Sequence, residues 1–146
     1  MIRVFLDANV YFAGFDSPKG ASAFILELIR RRKMEVCASR LVLREADRNL
    51  RTKSEKGALK AFRRFLQSAK IRIAPAPDEV LFKAYESFLH PKDLPVLAAA
   101  LLAKSDFLIT LDRRHFLTPQ VLSNIKKIKV CTPADFVRGV YLKGKI

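Results

Sequence analysis

FLITLDRRHF, residues 107–116, is an apolar run of strand-forming residues that stops on Asp112 and meets two arginines and a histidine. The chain opens in the same way: MIRVFLDANVYF (1–12) carries an apolar run that stops on Asp7. Short runs rich in Val, Ile, Phe and Leu are strand signals. Further ones occur in MEVCA (34–38), KIRIA (70–74) and IKKIKVC (125–131), while DFLITL (106–111) forms the fourth in chain order.

The intervening segments have helical spacing. In GASAFILELIRRRK (20–33), Phe24 and Leu28, and Ile25 and Ile29, stand four apart, and the closing cations suit a helix C-terminus. Ser39 caps a helix that runs to about residue 51, and another spans about 55–69. Asp78 opens DEVLFKAYESFL (78–89); HPKDLP (90–95) is a break, and VLAAALLAK (96–104) is helical again. TPADFVRGVYL (132–142) has Thr132 as cap, Pro133 at the first helical position and Asp135 three after the cap. Strands alternating with helices predict an α/β, three-layer domain over 1–146, with a parallel sheet of about five strands covered on both faces. Ligands in such sheets bind beyond the carboxyl ends of strands, where strand order reverses. If the strands ending at Asp7 and Asp112 are neighbours, both carboxylates meet in one crevice.

Charge narrows the partner. Lys and Arg number 28 against 14 Asp and Glu, a net charge of +14, and the pI is near 10.2. The cations cluster in RRRK (30–33), between 40 and 64, and in KKIK (126–129). Such a surface implies an anionic partner, nucleic acid first and an acidic membrane surface second. VLAAALLA (96–103) is far shorter than the roughly 20 residues needed to span a bilayer, and the N-terminus lacks a signal-peptide pattern. Cys37 and Cys131 have no metal-binding or redox spacing and read as reduced, packed thiols, as expected in a cytoplasm.

Each acid has an ordinary explanation when taken alone. Asp7 and Asp112 could start turns, Asp93 could cap a helix with Pro95 in its first turn, and Glu45 could pair with Arg48 three residues on. Brought together, they would concentrate negative charge in a basic protein, which like charges resist unless a cation sits among them. Hard divalent ions take such oxygen ligands. A divalent ion surrounded by Lys and Arg suits phosphodiester hydrolysis, in which metal activates water and offsets the charge growing at phosphorus. Arg44, Arg48 and Arg51 lie at i, i+4 and i+7 on the helix carrying Glu45 and form one stripe suited to incoming phosphates, or simply a solvated basic face. Asp16, in a loop, is an outside candidate; Asp78, Asp106 and Asp135 read as structural. His115 could touch phosphate, although a packed or surface histidine is the commoner case, and neither histidine shows the partners that metal or triad chemistry requires.

In these segments the chain resembles the PIN-domain ribonucleases, particularly the bacterial and archaeal branch that includes VapC-type toxins of toxin–antitoxin pairs. FLDANV (5–10) is similar to the family's first motif, with Asp7 as metal-binding acid and Asn9 two positions on. SRLVLREADRNL (39–50) is similar to the second, placing Glu45 six residues after Ser39. KDLPVLAAALLAKSDFLITLDRRHF (92–116) is similar to the third and fourth, with Asp93 and Asp112, and Thr110 fits the hydroxyl beside the last acid. The resemblance implies a sheet in the order 3-2-1-4-5. It also implies a Mg²⁺- or Mn²⁺-dependent endoribonuclease in which Asp7, Glu45, Asp93 and Asp112 hold one or two ions, a homodimer, and a cognate antitoxin as partner besides RNA. Two alternatives stay open: a PIN nuclease of RNA processing with no toxin role, and a basic nucleic-acid-binding protein that keeps the fold without cutting.

Overall fold

Five parallel strands form one sheet in the order β3-β2-β1-β4-β5, the order the family resemblance implies. The structure is a computed structural model that describes the backbone of residues 1–146 and every side chain except that of Lys56. The strands are β1 (Arg3–Leu6), β2 (Glu35–Ala38), β3 (Ile71–Ile73), β4 (Phe107–Ile109) and β5 (Lys129–Cys131). β1 lies centrally, and Val4, Phe5 and Leu6 have no exposed surface, because a strand covered on both faces must be apolar throughout.

Helices α1 (Ala8–Asp16) and α2 (Ala21–Arg30) join β1 to β2, and α3 (Arg40–Lys53) and α4 (Lys56–Ser68) join β2 to β3. α5 (Glu79–Lys83) and α6 (Leu94–Leu102) carry the chain back across to β4, and α7 (Pro119–Asn124) joins β4 to β5. Right-handed crossovers place the helices of the outward and returning runs on opposite faces of the sheet. The direction therefore reverses between β1 and β4, which pair in the register Val4–Phe107, Phe5–Leu108 and Leu6–Ile109. That reversal opens a crevice at their carboxyl ends.

α1 packs on α2, α3 and α4. A Cβ at Gly14 would fall 2.3 Å from Leu26 Cδ1 and 3.2 Å from the backbone carbon of Ser22, so α1 approaches α2 more closely than an alanine there would permit without moving Leu26. Tyr11 and Phe15 meet Phe62 and Phe65 of α4 edge to face, with centroids 5.5–6.3 Å apart. On the other run, α6 is apolar all round and almost wholly buried, as such a helix must be. No helix among the described residues is long and apolar enough to cross a membrane. Cys37 and Cys131 are buried and free.

Several boundaries differ from the sequence reading. Only Glu79–Lys83 of the expected 78–89 helix is α-helical. Asp78 does cap it, accepting from the Leu81 N–H at 3.2 Å, but the segment buries no side chain and gives way to turns before Pro91. α6 begins two residues earlier than expected because Pro95 is tolerated in a first turn. The strands expected at 106–111 and 125–131 shrink to three residues each. Helices α1 and α7 were not anticipated: VYFAGF is continuously apolar and shows no stripe, and α7 is only six residues long. Thr132 caps α8 (Pro133–Phe136) by accepting from the Asp135 N–H at 3.0 Å, and the chain then widens into a π-helical turn over Val137–Tyr141.

Candidate functional site

Asp7 is the first residue past β1, and its backbone N–H donates to the carbonyl of Ile109, the last residue of β4, at 3.0 Å. Its side chain is 7% exposed and fully engaged. Oδ1 accepts from the Ala8 N–H at 2.8 Å; Oδ2 accepts from the Thr110 hydroxyl at 2.8 Å and the Asn9 amide at 3.3 Å. Asn9 also accepts from the Leu111 N–H at 3.0 Å, and Thr110 Oγ1 accepts from the Asp112 N–H at 3.1 Å. Asn9 and Thr110 thus stitch the end of β1 to the segment after β4. Because β4 stops at Ile109, this backbone bond, rather than strand alternation, relates Thr110 to Asp112.

Asp112 turns the chain. Its Oδ1 accepts from the His115 N–H at 2.9 Å, and its carbonyl accepts from Phe116 and Leu117. Asp93 precedes α6 from the opposite run. The cap expected of it does not form: its backbone is already helical and its side chain takes no capping bond. Instead Asp93 is 5% exposed as a residue, and its Oδ2 is buried with no partner. A carboxylate oxygen buried without a donor is costly, and nearby charge makes it costlier. Burial pushes the Asp93 carboxyl up to about 6, with the charges of Asp112 and Asp7 adding to the rise and Lys92 and His115 opposing it. Burial likewise raises Asp7, against its hydrogen bonds from Thr110 and Ala8, with further upward pressure from Glu45 and Asp112.

Ligating atoms of Asp93, Asp112 and His115 lie within 4.8 Å of one another. Asp7 and Glu45 stand outside this tight group. Glu45 is half-buried on α3 and makes no ion pair with Arg48 among the described residues, and its charge is felt at Asp7. The reading of His115 as lacking metal-type partners does not match its position beside both acids. Its spacing of three from Asp112, in a turn just past a strand, was the available signal. An oxygen-rich donor set with one orphaned buried carboxylate oxygen fits a hard divalent cation.

The other acids sit apart. Asp16 ends α1 and accepts from the Ser54 hydroxyl. Asp106 accepts from the Arg3 N–H at 2.8 Å at the opposite end of the sheet. Arg44, Arg48 and Arg51 are all exposed on α3, and Arg51 shares Asp47 with Arg63. Lys92, Arg113 and Arg114 add exposed cations directly beside Asp93 and Asp112.

A family model described as PIN domain matches residues 3–114. Among solved structures, VapBC2 from Rickettsia felis, bound to a DNA fragment from their promoter, is similar at a TM-score of 0.64 and 15% identity, over 90% of this chain and 98% of that one. PAE2754 from Pyrobaculum aerophilum is similar at 0.58 and 23% identity, over 94% and 88%. FitAcB from Neisseria gonorrhoeae is similar at 0.58 and 15%, over 90% and 98%. At these identities the likeness is one of fold. No curated protein sequence matches the chain.

Proposed function

The chain belongs to the PIN-domain family, and we propose that it is a divalent-metal-dependent endoribonuclease acting as the toxin of a VapBC-type toxin–antitoxin pair. The observation that carries the nuclease reading is the buried, unpartnered Oδ2 of Asp93 beside Asp112, past the carboxyl end of β4, within a protein of net charge +14. Asp93 and Asp112 would hold Mg²⁺ or Mn²⁺, with Asp7 and Glu45 completing the negative wall. When bound, such an ion supplies charge neutralisation and water activation for phosphodiester cleavage.

The chain's own residues do the rest. Thr110 and Asn9 hold Asp7 in one orientation, so the acid needs no reorganisation as charge develops. Lys92, Arg113 and Arg114 draw the RNA backbone to the crevice mouth, and Arg44, Arg48 and Arg51 extend that path along α3. Likeness in fold to VapBC2 and FitAcB supports the toxin assignment, and with it a homodimer and an antitoxin protein that covers the acids.

Incubation with end-labelled single-stranded RNAs tests the nuclease reading. Cleavage should require Mg²⁺ or Mn²⁺, stop with EDTA, and stop when the product of the neighbouring reading frame is added. Cleavage that EDTA leaves unchanged, or none with either metal on any RNA, would overturn it. Cleavage indifferent to the neighbouring protein would remove the toxin role alone.

A further inference from the structure

We infer that His115 is a third ligand of the ion held by Asp93 and Asp112, and that its imidazole biases the site toward Mn²⁺ and Co²⁺ over Mg²⁺; this rests on the metal site proposed above. His115 Nδ1 lies 3.6 Å from Asp112 Oδ2, too far for a hydrogen bond. The Asp112 oxygen already committed to His115 is Oδ1, which accepts its backbone N–H at 2.9 Å, so Oδ2 faces the ring without being bonded to it. Two atoms bound to one ion at about 2.1 Å each stand roughly 3–3.6 Å apart for angles of 90–120°. The ring nitrogen and the carboxylate oxygen therefore already have the separation of two ligands on one ion.

Asp93 supplies an independent observation. The residue is 5% exposed, its Oδ2 is buried with no partner, and its carboxylate belongs to the same group of ligating atoms within 4.8 Å. The histidine is also held in place. The ring of His90 lies against it, with centroids 4.7 Å apart and planes at 48°, and His90 Nδ1 accepts from the Lys92 N–H at 3.2 Å. His90 thereby links the turn after β4 to the loop that delivers Asp93. Its own Nδ1 is spent on the backbone, so it serves as the brace and His115 as the ligand; a ligand braced by its neighbours loses less freedom on binding.

The consequence is selectivity. Mg²⁺ takes carboxylates and keeps its waters, gaining little from imidazole, whereas ions later in the first transition row gain steadily from it. His115→Asn should therefore weaken Mn²⁺ and Co²⁺ roughly tenfold or more while leaving Mg²⁺ within about threefold.

Pulsed electron paramagnetic resonance of the full chain with Mn²⁺ reads the ligand directly, since a bound imidazole imprints its ¹⁴N on the electron-spin echo. The expected result is ¹⁴N modulation in the wild type that persists in His90→Asn and vanishes in His115→Asn, alongside the calorimetric loss of Mn²⁺ affinity. Bound Mn²⁺ with no imidazole modulation in the wild type would overturn the role of His115 and leave the metal site standing. Modulation that vanishes in His90→Asn and survives in His115→Asn would transfer the role to His90 and overturn the assignment. No Mn²⁺ binding at all would overturn the metal site itself. The wild-type spectrum needs no variant, so misfolding of a mutant cannot mask the answer.

Discussion

Thr110 donates its hydroxyl to Asp7 Oδ2 across 2.8 Å, joining the residue after β4 to the residue after β1 with no exposed surface of its own. Thr110 Oγ1 in turn accepts from the Asn9 amide and the Asp112 N–H. Thr110→Val keeps the shape and removes all three contacts, leaving buried polar groups unsatisfied at about 1–3 kcal/mol. The melting temperature should fall by roughly 2–12 °C, and Thr110→Ser should stay much closer to wild type. A Val variant melting with the wild type would show that the hydroxyl holds nothing.

Asp7→Asn and Asp112→Asn should each lower RNA cleavage at least about a hundredfold, the scale of losing one preorganised charge-stabilising group. Their circular dichroism should stay native, because removing an anion from this cluster relieves repulsion. Gel-based cleavage with purified protein decides it, and wild-type turnover in either variant would exclude that acid from the chemistry.

Ionisation of Asp93 should cost the metal-free protein stability as pH rises from about 4 to 6, a contribution read as the difference between wild type and Asp93→Asn. Burial and the charges of Asp112 and Asp7 push the Asp93 carboxyl from its ordinary 3.8 up to about 6 in the fold. In that window the folded state binds more protons than the unfolded one, so unfolding free energy falls with pH. The destabilisation is absent below about pH 4 and complete above about 6. Asp93→Asn should flatten this part of the profile and melt several degrees above wild type at pH 7.5, in EDTA. Denaturant titrations at pH 4, 5, 6 and 7.5 would measure it; parallel profiles for the two proteins would contradict the burial of a strained carboxylate.

A divalent ion that binds only the folded state stabilises it by about 2.7 kcal/mol at a hundredfold excess over its dissociation constant, or roughly 5–11 °C in a chain of this size. Mn²⁺ should produce that rise in the wild type, a smaller one in Glu45→Gln and almost none in Asp93→Asn. An equal rise in all three would locate the ion elsewhere.

RNA affinity should depend on the α3 arginines. Each phosphate contact contributes about −0.7 to the slope of log affinity against log salt for a single strand. Replacing Arg44, Arg48 and Arg51 together with Ala should flatten the slope by about 1.4–2 units, the lower figure applying if Arg51 stays with Asp47. Fluorescence anisotropy across salt concentrations with a catalytically silent Asp112→Asn background gives the slope. An unchanged slope would move the RNA path to the cations at 30–33 or 126–129.

How legible the protein was from its chain depended on the range of the interaction concerned. The strand run up to Asp7, the Ser39, Asp78 and Thr132 caps, and the helical stripes are all set by neighbours within a few residues, and the structure has them, while β4 closes at Ile109, short of Asp112. The same locality misled where packing overrode pattern. The 78–89 helix stopped after Lys83, and the chain seats Leu89 in the core through turns instead; α1 was hidden because VYFAGF is apolar on every side.

The acids were legible as motif residues, yet their individual states were not. Asp93 looked like a helix cap, and only the fold reveals that its side chain forgoes the cap and points a bare oxygen into the protein. His115 was discounted because its partners lie on Asp93 of the opposite run and in a turn whose curvature no spacing rule specifies. Residue chemistry and periodicity are written locally, and they determined the parallel α/β architecture. Which oxygens are satisfied, which is left bare and which nitrogen stands beside it depend on contacts between segments far apart in the chain. Those were decided only when β1 and β4 paired and the residue before α6 came to lie beside Asp112.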